Sequence, residues 1–146
     1  MSTELPSHLV QGLTLLRDAL AVVFRPDTAV PGSGGETPSA GHCAAVAVIV
    51  RAEFGGDFVS ANVHGQSHWF NRIYFESQLF DVDLTGDQFG FPSVRFGPSG
   101  SIFAEVRTRG ERQLSSETLQ RALVLARRAN RFLAAEKIAL FISGRT

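Results

Sequence analysis

From Ser7 to Phe24 the apolar positions are Leu9, Val10, Leu13, Leu16, Leu20, Val23 and Phe24. Steps of three and four between them predict an amphipathic helix over 7–24, with Ser7 as its N-cap. Arg25-Pro26 ends it, because the residue before a proline avoids the helical region. The stretch 28–42 carries Pro31, Gly32, Gly34, Gly35 and Pro38 and reads as a loop, long for a simple connection. It leads straight into Gly41-His42-Cys43. The run from Ala44 to Val50 suits a buried strand or a buried helix by periodicity alone. Its alanines, a span of 43–54 and the Gly55-Gly56 pair that follows favour the helix. Being apolar nearly all round, this helix belongs in the centre of the fold.

After Gly56 the period changes to two. Phe58, Ser60, Asn62 and His64 alternate with Val59, Ala61 and Val63, and a turn at Gly65-Gln66 follows. His68, Phe70, Arg72 and Tyr74 then alternate with Trp69, Asn71 and Ile73, and a third run covers 79–84. These runs predict an antiparallel meander. The glycine- and phenylalanine-rich stretch 85–100 reads as irregular, and 101–108 as one more strand. A second amphipathic helix is expected over 115–134, with Ser115 or Ser116 as N-cap and Glu117 in its first turn. The tail from Lys137 reads as an apolar extension through Ile138, Leu140, Phe141 and Ile142.

Composition adds limits. With 146 residues, 44% hydrophobic and 19% charged, the chain is expected to form a single domain over 1–146, with 43–108 as its core. Its formal net charge is zero, which argues against a general nucleic-acid binder. Arg121, Arg127, Arg128 and Arg131, near Arg107, Arg109 and Arg112, read as a solvated face rather than an anion-binding patch. The N-terminus lacks the pattern of a signal peptide, and the run 44–50 is too short to span a bilayer. No membrane association and a cytoplasmic location are expected. Lys137 is the only lysine. Cys43 is the only cysteine, so neither an internal disulfide nor a Cys-rich zinc site can form.

A lone cysteine acts by itself or with His and carboxylate partners. Cys43 falls at the first turn of the central helix, where unpaired N–H groups and a partial positive charge favour a thiolate and can stabilise an oxyanion. His68 lies on one predicted strand, and Asp81 and Asp83 share a face of the next. If those strands pair, either carboxylate can orient the imidazole across the ladder. Cys43 would then attack, and His68 would move the proton. His42 adjoins Cys43 but is expected to point elsewhere, and His64 is expected at the rim. A metal site built from His64, His68 and Asp81 or Asp83 lacks tight ligand spacing.

The segments Gly41-His42-Cys43 through Val50, Phe54-Gly55-Gly56, Ser67-His68-Trp69-Phe70-Asn71-Arg72 and Asp83-Leu84-Thr85-Gly86-Asp87-Gln88-Phe89 resemble the YunG-like family of small bacterial proteins. That family in turn looks like a minimal papain-like or transglutaminase-like core. The resemblance implies Cys43, His68 and Asp83 as a triad, with Asn71 and the stretch Asp87-Gln88-Phe89 shaping the site. His42 stands where the family has Gln, and Thr37 stands where a papain-type oxyanion glutamine would be.

The expected fold is therefore α+β: a Cys-bearing helix on a small antiparallel sheet, flanked by N- and C-terminal helices. The expected function is cysteine-dependent acyl transfer through a thioester, as in a peptidase, amidase, deamidase or transglutaminase-like enzyme. The catalytic residues would be Cys43, His68 and Asp83, with His42, Asn71, Asp81 and Gln88 as accessory candidates. The substrate would be a protein, peptide or amide, with no cofactor, no metal and the oligomeric state left open. The alternative is a non-catalytic binding or regulatory module that keeps the papain-like fold, with the stretch 89–103 as its partner surface if exposed.

Overall fold

A computed structural model describes residues 5–30, 41–129 and 134–144. The first helix, α1, spans Ser7–Val23, and turns Leu13, Leu16, Leu20 and Val23 inward. Ser7 is inside the helix rather than capping it: Pro6 holds the N-cap position, and no side chain bonds the end. A 3-10 turn at Pro26–Thr28 follows. Much of the predicted Gly/Pro loop, 31–40, lies outside the described residues.

The central helix, α2, forms over Cys43–Phe54, and its residues Ala45 to Val50 are all buried. Burying Val46, Val48, Ile49 and Val50 contributes on the order of 2 kcal/mol per side chain. Gly55 closes the helix with φ 76° and ψ −164°, a conformation that only glycine takes readily, while its N–H donates to the Arg51 carbonyl at 2.8 Å.

The meander follows as β1 (Asp57–Val63), β2 (Gln66–Phe75) and β3 (Gln78–Asp83). Both hairpins turn through two residues with positive φ: His64 (51°) with Gly65 (80°), and Glu76 (46°) with Ser77 (66°). The first turn is therefore His64-Gly65, one residue earlier than the glycine placement suggests. Loops of this primed type match the strand twist, which offsets the strain on the non-glycine residues. Two short strands, β4 (Arg95–Pro98) and β5 (Arg107–Arg109), complete a five-stranded antiparallel sheet in the order β4-β3-β2-β1-β5.

The strands β4 and β5 depart from expectation. β4 lies in a stretch expected to be irregular, and only the end of 101–108 is a strand. Hydrophobic alternation marks neither, because both sit at sheet edges. A 3-10 turn at Glu111–Gln113 leads to α3, Ser116–Ala129. Ser115 caps α3, its Oγ accepting from the Thr118 N–H at 3.0 Å. Residues 130–133 of the helix expected over 115–134 lie outside the described residues. The apolar tail is a further helix, α4, Ala134–Ser143, anchored by buried Ile138 while Leu140 is exposed.

The sheet separates two apolar layers. Phe58, Ile73, Phe80 and Val82 face the helices, within a cluster that includes α2. Val59, Ala61, Val63 and Phe70 face the opposite way, onto Ile102 and Phe103. Asn71, on the helix side, donates to the Ala47 carbonyl at 2.9 Å and pins α2 to β2. That bond lies one helical turn from Cys43.

Candidate functional site

His68 and Asp83 are offset by two positions across the β2–β3 pairing. Asn71 pairs with Val82, so His68 lies beyond the end of the β2–β3 ladder and Asp83 sits diagonally from it. Their side chains meet on the face away from the helices, His68 Nε2 donating to Asp83 Oδ2 at 2.9 Å. Both side chains are almost completely buried. The other carboxylate oxygen, Oδ1, accepts from the Thr85 backbone N–H at 3.1 Å. Gln88 in turn donates to the Thr85 carbonyl at 3.0 Å. The Asp83 carboxylate is thereby fixed from both sides.

The second ring nitrogen, Nδ1, is buried and has no nitrogen or oxygen partner among the described residues. Cys43, half-buried at the first residue of α2, is the other group that acts on this imidazole. Burial favours the neutral ring, but Asp83 and then Cys43, by hydrogen bonding and charge, outweigh it and raise the His68 pKa from 6.5 to about 9. Phe89, Phe103 and Phe70 surround the ring, with centroids 5.1, 5.5 and 6.1 Å away. They exclude water from the His68–Asp83 pair.

The two candidate carboxylates are thus separated by their partners. Asp81 faces Arg72, which donates to it from Nε at 2.7 Å and from Nη2 at 3.1 Å, and also accepts from the Gly100 N–H. Asp83 alone reaches His68. His42 is 1% exposed, packs on Phe24, and bonds Thr28 Oγ1 at 2.8 Å. Because that hydroxyl donates to the Arg25 carbonyl, His42 Nε2 is the donor. With the Val30 N–H on the Gly41 carbonyl at 3.1 Å, it ties 28–30 to the start of α2. His64 is exposed in its turn and lies edge-on to Phe89. Asn71 anchors α2 from the opposite face of β2.

Arg17 is a residue that sequence reasoning missed. It is 6% exposed and donates from Nε to the Leu84 carbonyl at 2.6 Å and from Nη2 to Asp87 at 2.8 Å. It holds the turn directly after Asp83 against α1. Its signal was present: Arg17 follows Leu16 and stands four residues from Leu13, within the apolar stripe.

The remaining charged and aromatic candidates lie elsewhere. Arg128 pairs with Asp27, and Arg109 donates to Ser60 and lies over Trp69. Arg121 donates to Thr118, and Arg131 lies outside the described residues. Lys137 lines a separate cavity of about 380 Å³ with Arg51, Gly55 and Phe141, at the far end of α2 from Cys43. In the stretch 89–103, Phe103 is buried and Phe89 and Phe91 pack against the second apolar layer, while Phe96 is exposed. Among the described residues no group of three or more His, Cys, Asp or Glu is placed to hold a metal ion, and no helix is long and apolar enough to cross a membrane.

Comparison with curated proteins and with solved structures finds no match. A family model described as "YunG protein" matches residues 12–132, a span that contains Arg17, Cys43, His68 and Asp83. On the strength of that match over most of its length, the chain belongs to the YunG family.

Proposed function

We propose that this protein is a cysteine-dependent acyl-transfer enzyme on a reduced papain-like or transglutaminase-like core. One observation carries the reading. His68 spends Nε2 on Asp83 and keeps Nδ1 free of any nitrogen or oxygen partner, while Cys43 is the remaining group acting on the ring. That is the division of labour a nucleophile, a base and an orienting carboxylate require.

The chemistry follows. The Cys43 thiolate attacks the carbonyl carbon of an amide, forming the S–C bond and placing charge on the oxygen. The N–H groups at the start of α2 can face that oxygen, since among the described residues the first backbone N–H of the helix to find a carbonyl is that of Val46, on His42 at 2.9 Å. Nδ1–H of the imidazolium protonates the leaving nitrogen as the C–N bond breaks and a thioester remains. Nδ1 then accepts a proton from water or an amine, which attacks the thioester and releases Cys43. Asp83 holds the ring and stabilises its positive charge throughout. A protein, peptide or small amide is the proposed substrate.

The test is labelling of Cys43 with thiol-reactive acyl probes in wild type and His68→Ala, with folding followed by circular dichroism. Wild type should label at least tenfold faster at pH 6.5. Equal labelling of two folded proteins would mean that His68 does not activate the thiol, which leaves a non-catalytic module.

A further inference from the structure

Arg95 stands directly across from Asp83 in the β3–β4 ladder, so both side chains leave the sheet on the His68 face. Its guanidinium lies 4.0 Å from the centroid of Phe91 and 5.0 Å from that of Phe103. Phe103 is also one of the rings against His68. Arg95 and the imidazole therefore share a neighbour. The side chain is half-buried, and its Nη1 is sealed from water without a hydrogen-bond partner. Asp83, the nearest carboxylate in the ladder, gives Oδ2 to His68 and Oδ1 to Thr85. Asp81 is taken by Arg72 and Gly100.

A guanidinium with a buried unpaired N–H is costly, because aromatic faces only partly replace lost hydration. Arg72, the neighbouring cation on this face, has its carboxylate; Arg95 has none among the described residues. Arginine presents a planar fork suited to a carboxylate. We infer that Arg95 receives a carboxylate of the substrate, so that the preferred acyl group carries a negative charge close to the carbonyl that Cys43 attacks. This rests on Cys43 being the nucleophile. Arg95 acts as a specificity-determining residue: it draws the anion in and orients it, and takes no part in proton transfer.

Two alkylating agents that differ mainly in charge test it. Iodoacetamide is neutral and iodoacetate carries a carboxylate; in each, the Cys43 sulfur bonds the methylene carbon and iodide leaves. The readout is the ratio of the iodoacetate rate to the iodoacetamide rate, measured on the full chain. Arg95→Gln should lower that ratio at least fivefold with the iodoacetamide rate within twofold of wild type, and Arg95→Lys should keep most of it. Arg107→Gln, which removes an exposed cation on β5, should leave the ratio unchanged. An equal ratio in wild type and Arg95→Gln overturns the carboxylate site. A slow iodoacetamide reaction in wild type, no faster than that of an ordinary thiol, fails the nucleophile reading instead, so the two failures are distinguishable.

Discussion

Gly86 rests against the Asp83 carboxylate so closely that a Cβ added to Gly86 would stand 2.5 Å from Oδ2, the oxygen that holds His68. The contact gives glycine a steric reason to open the turn after β3. Gly86→Ala should push the carboxylate away from the ring while leaving the rest of the sheet in place. NMR titration of His68 should then show its pKa falling from about 9 toward the ordinary value of 6.5. An unchanged titration would show that the turn yields instead of the carboxylate.

The same ion pair sets a pH dependence of stability. The folded protein raises the His68 pKa from 6.5 to about 9, so the fold binds this proton more tightly than the unfolded chain does. The stabilisation is fully present below pH 6.5 and is lost as pH rises through about 9. Its size is up to about 3 kcal/mol, since each tenfold gain in proton affinity corresponds to roughly 1.4 kcal/mol. Urea unfolding should show wild type losing stability across that window, and Asp83→Asn losing clearly less. Identical losses in the two proteins would place the effect on other groups.

Gly56 and Gly65 both have positive φ, at 89° and 80°, but differ in what surrounds them. A Cβ on Gly56 would lie 2.2 Å from the Arg72 carbonyl oxygen, whereas one on Gly65 would meet nothing within 4 Å. Gly65→Ala should cost only the left-handed backbone penalty, about 1–2 kcal/mol. Gly56→Ala adds a backbone clash where α2 hands the chain to β1, and should cost more than about 3 kcal/mol. Urea midpoints for the two variants check the ordering. Equal midpoints would mean that β1 moves freely away from β2 at this point.

The contrast between these glycines shows what the sequence could carry. Gly55-Gly56 after an apolar run announces a helix end, and α2 runs from Cys43 to Phe54, in agreement with that signal. The three meander strands were equally legible, because alternation and two-residue turns are local. What was not local was lost. β4 and β5 are four and three residues long and gain their identity from the edges they pair with. The choice between Asp81 and Asp83 needed the register, since both share a face. Arg72 and Gly100, which settle Asp81, are brought to it only by the fold. Asn71, which the family resemblance implies as shaping the site, lies by strand alternation on the opposite face, where it bonds the Ala47 carbonyl.

Arg17 is the sharpest case of a long-range role, and it gives the last prediction. It joins α1 to the turn beyond β3 across 67 residues of chain to Leu84 and 70 to Asp87. Arg17→Met keeps the length and apolar stem of the side chain but leaves the Leu84 carbonyl and Asp87 without this cation. The pair is partly exposed on the Asp87 side, at 24% against 7% for Arg17, which softens the loss. The expected cost is about 2 kcal/mol, below that of breaking a fully buried pair. Asp87→Asn keeps a hydrogen-bond acceptor for Arg17 and should cost less. The two substitutions together should cost less than their sum by about 1 kcal/mol, because they share one interaction. Urea unfolding of the full cycle measures this directly. Strict additivity would show that Arg17 is held by its bond to Leu84 and its packing on Phe24, whose ring centroid lies 5.1 Å from the guanidinium, and that Asp87 is incidental.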